Sequence, residues 1–243
     1  MEITVLGSGS AIQFEGRASA SFLVETNSKK ILLDAGFHLL DRLEKIDVMV
    51  DEIDAIYISH KHPDHFFGLL HLLFALNNKH YTPKDKLFIF GFKGLEAWLK
   101  SFQNIMGKWL EPDIELIFSE AESGHFDGIS WEVFQTVHSP ESTGIAINSE
   151  DKKVVYSGDT QFFGELVDIV SGADIFIAEC GSGNEDKTKG HMCLDDIIRI
   201  SEKAQVKEII LTHIYPETDK TKDSWMHQGT QITRSYDHHK ISL

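Results

Sequence analysis

His60-Lys61-His62-Pro63-Asp64-His65 puts four side chains able to bind a metal within six residues. Neutral imidazoles suit zinc, copper, nickel or iron, a carboxylate adds charge, and a mixture without thiolate favours an open, catalytic site over a closed structural one. His138, Asp159 and His213 stand farther along the chain, each close behind a run that reads as a strand. A strand delivers its last side chain from a rigid base, and groups leaving the carboxyl ends of strands in an open sheet converge on one crevice. Seven ligands suffice for two metals. Such a pair lowers the pKa of a shared water from about 15.7 toward about 7, and it holds the charge that builds on an ester's oxygens under attack.

The elements that must position these groups follow from hydrophobic spacing. Residues 3–6, a turn at 7–10 and a hairpin of 21–25 with 30–34 predict a β-rich opening. Helical spacing covers 39–46, an apolar strand at 55–59 ends on His60, and 66–76 is apolar nearly all round, which predicts a buried helix. A further strand and helix are predicted at 86–90 and 93–106. The second half predicts strands at 129–137, 144–148, 153–157 and 209–212, with helices at 164–171 and 194–203.

The two halves echo each other. Lys30-Ile31-Leu32-Leu33-Asp34 returns as Lys153-Val154-Val155-Tyr156-Ser157-Gly158-Asp159, and Ile56-Tyr57-Ile58-Ser59-His60 returns as Ile209-Ile210-Leu211-Thr212-His213. Each of these histidines is followed three residues later by a proline. An internal duplication within one domain spanning 1–243 is expected. Residues 237–241 read as a terminal hairpin turn, and the polar loop 181–190, just ahead of His191, reads as a cover for the site.

With 42% hydrophobic residues over 243 positions, the chain can build a sizeable core and is not a disordered polyelectrolyte. Its net charge of −15 repels phosphate backbones unless bound metal supplies positive charge. Two cysteines are too few for a disulfide framework, so a reducing compartment is expected. The opening residues lack a basic leader and the longest apolar run, near 69–76, is too short to span a bilayer; a cytoplasmic protein with no membrane partner is expected. Of the 13 histidines, His38, His71, His80, His125 and His227 lack ligand neighbours and read as surface or packing residues.

His-x-His-x-Asp-His, followed by His, Asp and His at strand ends, resembles the metallo-β-lactamase superfamily of binuclear hydrolases. The segments Leu6-Gly7-Ser8-Gly9-Ser10-Ala11, Arg17-Ala18-Ser19, Leu33-Asp34-Ala35-Gly36, Ser157-Gly158-Asp159-Thr160 and Leu211-Thr212-His213 are similar to its ribonuclease Z and phosphodiesterase branch. The resemblance implies an α/β fold, a four-layer αββα sandwich from two similar halves. It implies that His60, His62 and His138 hold one metal, that Asp64, His65 and His213 hold the other, and that Asp159 bridges them. The cofactor implied is a pair of divalent ions, zinc first, with manganese or iron as alternatives.

Within the resemblance Asp64 orients the nucleophile, His191 gives the leaving oxygen its proton and Glu179 orients His191. Gly190-His191 matches the branch, whereas Met192-Cys193 depart from the Ser or Thr that follows there. True β-lactamases carry a Cys where Asp159 stands, and flavodiiron proteins a Glu where His62 stands, so both are disfavoured. The expected function is a phosphodiesterase attacking a small-molecule or short nucleotide ester with a metal-bridging hydroxide. Alternatives are a carboxylic ester or lactone hydrolase, a ribonuclease Z-type tRNA 3′-processing endonuclease, and a non-catalytic metal-binding sensor. A tRNA substrate is not expected, because the tRNA-binding arm of ribonuclease Z falls between His138 and Asp159, and here that interval is short and not basic. A homodimer is compatible with the resemblance, although no exposed apolar stripe can be assigned from the sequence.

Overall fold

The computed structural model describes residues 1–243 apart from 13, 83 and 186. The first half comprises β1 (Glu2–Gly7), β2 (Ser21–Thr26), β3 (Lys29–Leu33), α1 (Leu39–Glu44), β4 (Ala55–Ile58), α2 (Pro63–Leu76), β5 (Lys86–Gly91), α3 (Leu95–Met106) and β6 (Glu115–Ser119). The second comprises β7 (Ser123–Phe126), β8 (Ile129–Gln135), β9 (Thr143–Ser149), β10 (Lys152–Tyr156), α4 (Leu166–Val170), β11 (Ile175–Glu179), α5 (Leu194–Lys203), β12 (Glu208–Thr212), β13 (Ser224–His227), β14 (Thr230–Arg234) and β15 (Lys240–Ser242).

Two sheets result, ordered β15-β1-β2-β3-β4-β5-β6 and β13-β14-β12-β11-β10-β9-β8-β7. Both repeat one scheme: three antiparallel pairings followed by three parallel ones, from β15 to β6 and from β7 to β14. The hairpin β2–β3 thereby matches β9–β10, and both turn on two residues of positive φ, Asn27 (49°) with Ser28 (58°) and Glu150 (53°) with Asp151 (59°). Such turns carry the twist that lets adjacent strands pair. The two hairpins touch, with Thr26 Oγ1 2.9 Å from Ser149 Oγ.

Three apolar layers fill the spaces. Phe22, Leu33, Tyr57, Ile145, Tyr156 and Ile177 pack between the sheets; Leu32, Ile56, Leu69, Leu72 and Leu99 join the first sheet to α1, α2 and α3; Val155, Phe176, Ile197 and Leu211 join the second sheet to α4 and α5. The order is helix, sheet, sheet, helix, as the resemblance implies. Parallel strands such as β4 and β11 are buried along their whole length because both faces are covered, which explains their unbroken apolar runs.

Three expectations are corrected. The sequence echo pairs 56–60 with 209–213, but topology makes β4 the counterpart of β11 and β12 the counterpart of β5, since short apolar strands ending in Ser/Thr-His carry no information about sheet position. Residues 237–241 are not a hairpin: β14 lies in the second sheet and β15 crosses to pair with β1 in the first. The helix predicted at 66–76 begins earlier, at Pro63, and has an exposed face rather than burial all round.

Candidate metal centre

The expected ligands leave one edge of both sheets. His60 follows β4, His138 follows β8, Asp159 follows β10 across Gly158 (φ 56°), and His213 follows β12 with its own φ at 57°. The left-handed conformation costs a non-glycine residue free energy, and it turns His213 abruptly off the strand. Asp64 and His65 lie in the first turn of α2, with Pro63 at the helix start, where its missing N–H has no intrahelical partner to lose. The 60–65 segment is therefore a loop only as far as His62.

His60, His62, His138 and Asp159 form one group and Asp64, His65 and His213 another, the candidate ligand atoms within each lying no more than 4.8 Å apart. Asp159 stands between them. Its Oδ2 is 3.7 Å from His60 Nε2, 3.7 Å from His138 Nε2 and 3.4 Å from His213 Nε2, and its Oδ1 is 3.4 Å from His65 Nε2. Asp64 Oδ2 is 3.6 Å from His65 Nε2 and 3.5 Å from His213 Nε2, while His62 Nδ1 is 3.0 Å from His138 Nε2.

These groups fit divalent metal. Ligands held at about 2.0–2.1 Å around a tetrahedral ion stand roughly 3.3–3.4 Å from one another, close to the separations here. Hydrogen bonding also fixes the tautomers. Ser59 Oγ donates to Asp34 (2.7 Å) and so accepts from His60 Nδ1 (2.9 Å); His65 Nδ1 donates to Asp34 Oδ2 (2.6 Å); His138 Nδ1 donates to the Gly190 carbonyl (3.0 Å). Each Nε2 is left with a lone pair aimed into the cluster. Among the described residues His60 Nε2, His65 Nε2, His213 Nε2 and Asp159 Oδ1 are buried with no hydrogen-bond partner, a costly arrangement that a cation relieves.

Without metal, burial holds the His60 and His138 rings below the ordinary imidazole pKa. Burial opposes ionisation of Asp159 and Asp64 as well, yet the adjacent His213 and His65 rings hold both carboxyls well below the usual range. His191 lies over the cluster, its ring centroid 4.8 Å from that of His138 and 5.1 Å from that of His213. Its Nδ1 donates to Glu179 Oε1 at 3.0 Å. Burial works against a charge there, but that bond and the Glu179 charge outweigh it and raise His191 to about 9. Glu179, the last residue of β11, is itself fixed by the Thr160 and Gly181 N–H groups (2.9 and 2.8 Å).

All nine expected site residues thus gather at one place. The loop 181–190 meets the cluster at both ends: a side chain at Gly181 would strike His213, and one at Gly190 would strike His138. Residue 186, inside that loop, lies outside the described residues. His71 and His80 are exposed and His227 pairs with Glu202, consistent with surface roles.

Sequence reasoning missed what Asp34 does. Fully buried, it accepts from the Ser59 N–H (2.7 Å), the Ser59 hydroxyl (2.7 Å), His65 Nδ1 (2.6 Å) and the Tyr156 hydroxyl (2.6 Å). It therefore orients both His65 and, through Ser59, His60. The local signals were a charged residue directly after the apolar β3 and its place in Leu33-Asp34-Ala35-Gly36, neither of which names its partners.

A family model described as Anti-Pycsar protein Apyc1 matches residues 1–234. The mouse zinc phosphodiesterase ELAC protein 2 is 29% identical over 273 residues, which covers 99% of this chain and 33% of that protein, so the chain spans one third of that relative's length. Ribonuclease Z of Saccharolobus solfataricus is 26% identical over 272 residues, covering 92% of this chain and 91% of that one. Among solved structures, the metallo-β-lactamase fold protein YhfI from Bacillus subtilis superposes with a TM-score of 0.82 at 21% identity, over 99% of each chain. The fold is that of the metallo-β-lactamases.

Proposed function

The chain belongs to the Anti-Pycsar protein Apyc1 family, and from that premise and the geometry of its metal centre we propose that it is a metal-dependent hydrolase acting on a phosphodiester. His60, His62 and His138 would hold one divalent cation, Asp64, His65 and His213 the second, and Asp159 would reach both. Bound there, a cation pair supplies Lewis acidity toward an ester oxygen and a water whose pKa falls toward about 7. The observation that carries this reading is the set of buried, unpartnered Nε2 and Oδ1 atoms converging from the two groups.

The remaining residues divide the work. Asp64, at the start of α2, orients the attacking group within its own cluster. Leaving alkoxide needs a proton, and His191, whose Nδ1–H donates to Glu179, is the group placed to supply it. Zinc is the proposed metal: imidazole and carboxylate suit it, and the zinc phosphodiesterase named among the relatives agrees.

A small or short nucleotide ester is the proposed substrate. The interval from His138 to Asp159 is taken up by β9, β10 and their two-residue turn, leaving no extension there to grip a folded RNA. Metal analysis of one preparation, followed by rates on bis(p-nitrophenyl) phosphate, a lactone and a precursor tRNA, tests both levels. Two metals per chain with turnover of the phosphodiester alone is the expected result; turnover of the lactone alone overturns the phosphodiester assignment, and turnover of the tRNA overturns the small substrate. Replacing His191 with Ala should lower turnover by about 10²–10⁴-fold with metal content unchanged. Loss of metal on that change would make His191 a ligand instead of an acid.

A further inference from the structure

Arg17, in the loop between β1 and β2, takes no part in the metal centre, yet it is only 4% exposed and its guanidinium gathers groups from distant parts of the chain. Its Nη1 donates to Ser8 Oγ and to the Ser235 carbonyl, both at 2.7 Å, and its Nη2 donates to Asp219 Oδ1 at 2.7 Å. The Tyr236 ring covers it at 4.6 Å. A buried guanidinium is costly to desolvate and persists where rigid acceptors match its planar fork.

The acceptors lie on both sides of His213. Ahead of it, the Ser8 carbonyl accepts the Ile214 N–H at 3.0 Å and Gly9 bridges to Ile214, so the chain just past His213 is tied to the end of β1. Asp237 Oδ1 secures the same Ser8 through its N–H (2.9 Å) and hydroxyl (2.7 Å). Beyond it, the Tyr215 carbonyl accepts the Thr218 and Asp219 N–H groups (3.0 and 2.9 Å), and the Tyr215 N–H donates to Thr218 Oγ1 (3.0 Å), a compact turn that ends on the Arg17 partner Asp219. One fork therefore fixes the spacing between the two supports of His213.

His213 depends on that support more than its neighbours do. His60, His65 and His138 are each held by a hydrogen bond at Nδ1. His213 Nδ1 is buried with no hydrogen-bond partner among the described residues, and its backbone stands at φ 57°. A non-glycine residue keeps such a conformation where its surroundings over-determine it. With no bond to aim the ring, the backbone must aim it.

We infer that Arg17 is the positioning residue of His213, and that it sets the zinc affinity of the Asp64, His65 and His213 group without touching that of His60, His62 and His138. This rests on the two-cation reading of the centre. Arg17→Lys and Arg17→Met test it, since neither side chain can span Ser8 and Asp219 with a fork. Zinc affinities come from competition with a chromogenic chelator, and cadmium NMR of the loaded chain tells the groups apart, the second group's resonance being the one that His213→Ala removes. On protein with native circular dichroism, each Arg17 variant should weaken one of two zinc ions by about 10–100-fold, and shift or broaden that resonance alone. Asp223→Asn, a mostly exposed partner of Arg234 in the same network, should leave both ions unchanged. Where the Arg17 variants do not fold, Asp219→Ala, which removes the acceptor at the surface end of the fork, decides on the same readout. Variants that bind both ions as tightly as the native chain overturn the positioning role while the two-cation reading stands, and so does equal weakening of both ions. A native chain that takes up fewer than two zinc ions overturns the two-cation reading and this role with it.

Discussion

Replacing Asp34 with Asn keeps the side chain's shape and removes its charge. The carboxylate accepts four hydrogen bonds, three of them on Oδ2. The new NH₂ group must face donors at one of the two oxygen positions, so either the Ser59 N–H on the Oδ1 side or His65 Nδ1, Tyr156 Oη and Ser59 Oγ on the Oδ2 side lose their acceptor. Each buried group so stranded costs about 1–3 kcal/mol, a sizeable part of a total stability of about 5–15 kcal/mol. The centre is affected separately, because His65 loses the charged acceptor that fixes its tautomer and His60 loses the charged end of the chain through Ser59. Outer partners of this kind are worth about 10–100-fold in metal affinity, which is about 1.4–2.7 kcal/mol. Competition with a chromogenic zinc chelator, on protein whose circular dichroism is native, measures that factor. An Asp34→Asn protein that folds and binds zinc as tightly as the native chain would falsify the orienting role.

Stripping the metal should lower Tm: a ligand at about 100 times its Kd contributes about 2.7 kcal/mol, or roughly 5–10 °C for a chain of this size, and scanning calorimetry with and without a chelator checks it. Gly68→Ala should destabilise by about 1–3 kcal/mol, because a Cβ there meets the Ala35 and Gly36 carbonyls where α2 lies against that loop; unchanged denaturant midpoints would refute the close approach. Asp174 is expected to govern acid stability. Although burial opposes its charge, hydrogen bonds from Lys207 (2.6 Å) and the Lys153 N–H (2.8 Å) lower its pKa. A carboxyl lowered on folding contributes stability above its unfolded pKa of about 3.9, lost as pH falls through the folded value. The stability gap between native protein and Asp174→Asn should therefore be full at neutral pH and close in acid, and a gap that stays constant with pH would contradict it.

Much of the site was legible before any coordinates. Ligand type and spacing in 60–65 are local chemistry, and the apolar runs before His60, His138, Asp159 and His213 announce strands whose ends can converge. The α5 boundaries and the β2–β3 hairpin follow equally from near neighbours in the chain. Three features resisted. Asp34 reaches Tyr156 across 122 positions, and no periodicity encodes a hydrogen bond between strands of different sheets. β15 leaves the sheet that holds β14 because β1 offers it an edge, a choice between partners that only the assembled sheets present. The open face of α2 was hidden because Phe67 and Phe74 have the same composition signature as a core, and exposure depends on what else packs there.

The sequence by itself determined which atoms can bind metal and that rigid strands present most of them, because residue type and short-range spacing fix both. Tertiary structure supplied the distances that put Asp159 between the two clusters, and it alone decided that Asp34 holds two of the histidines in one tautomer and that one helical face stays uncovered. Those outcomes are distances and exposures between residues remote in the chain, set by how two sheets pack and not by any segment's own preference.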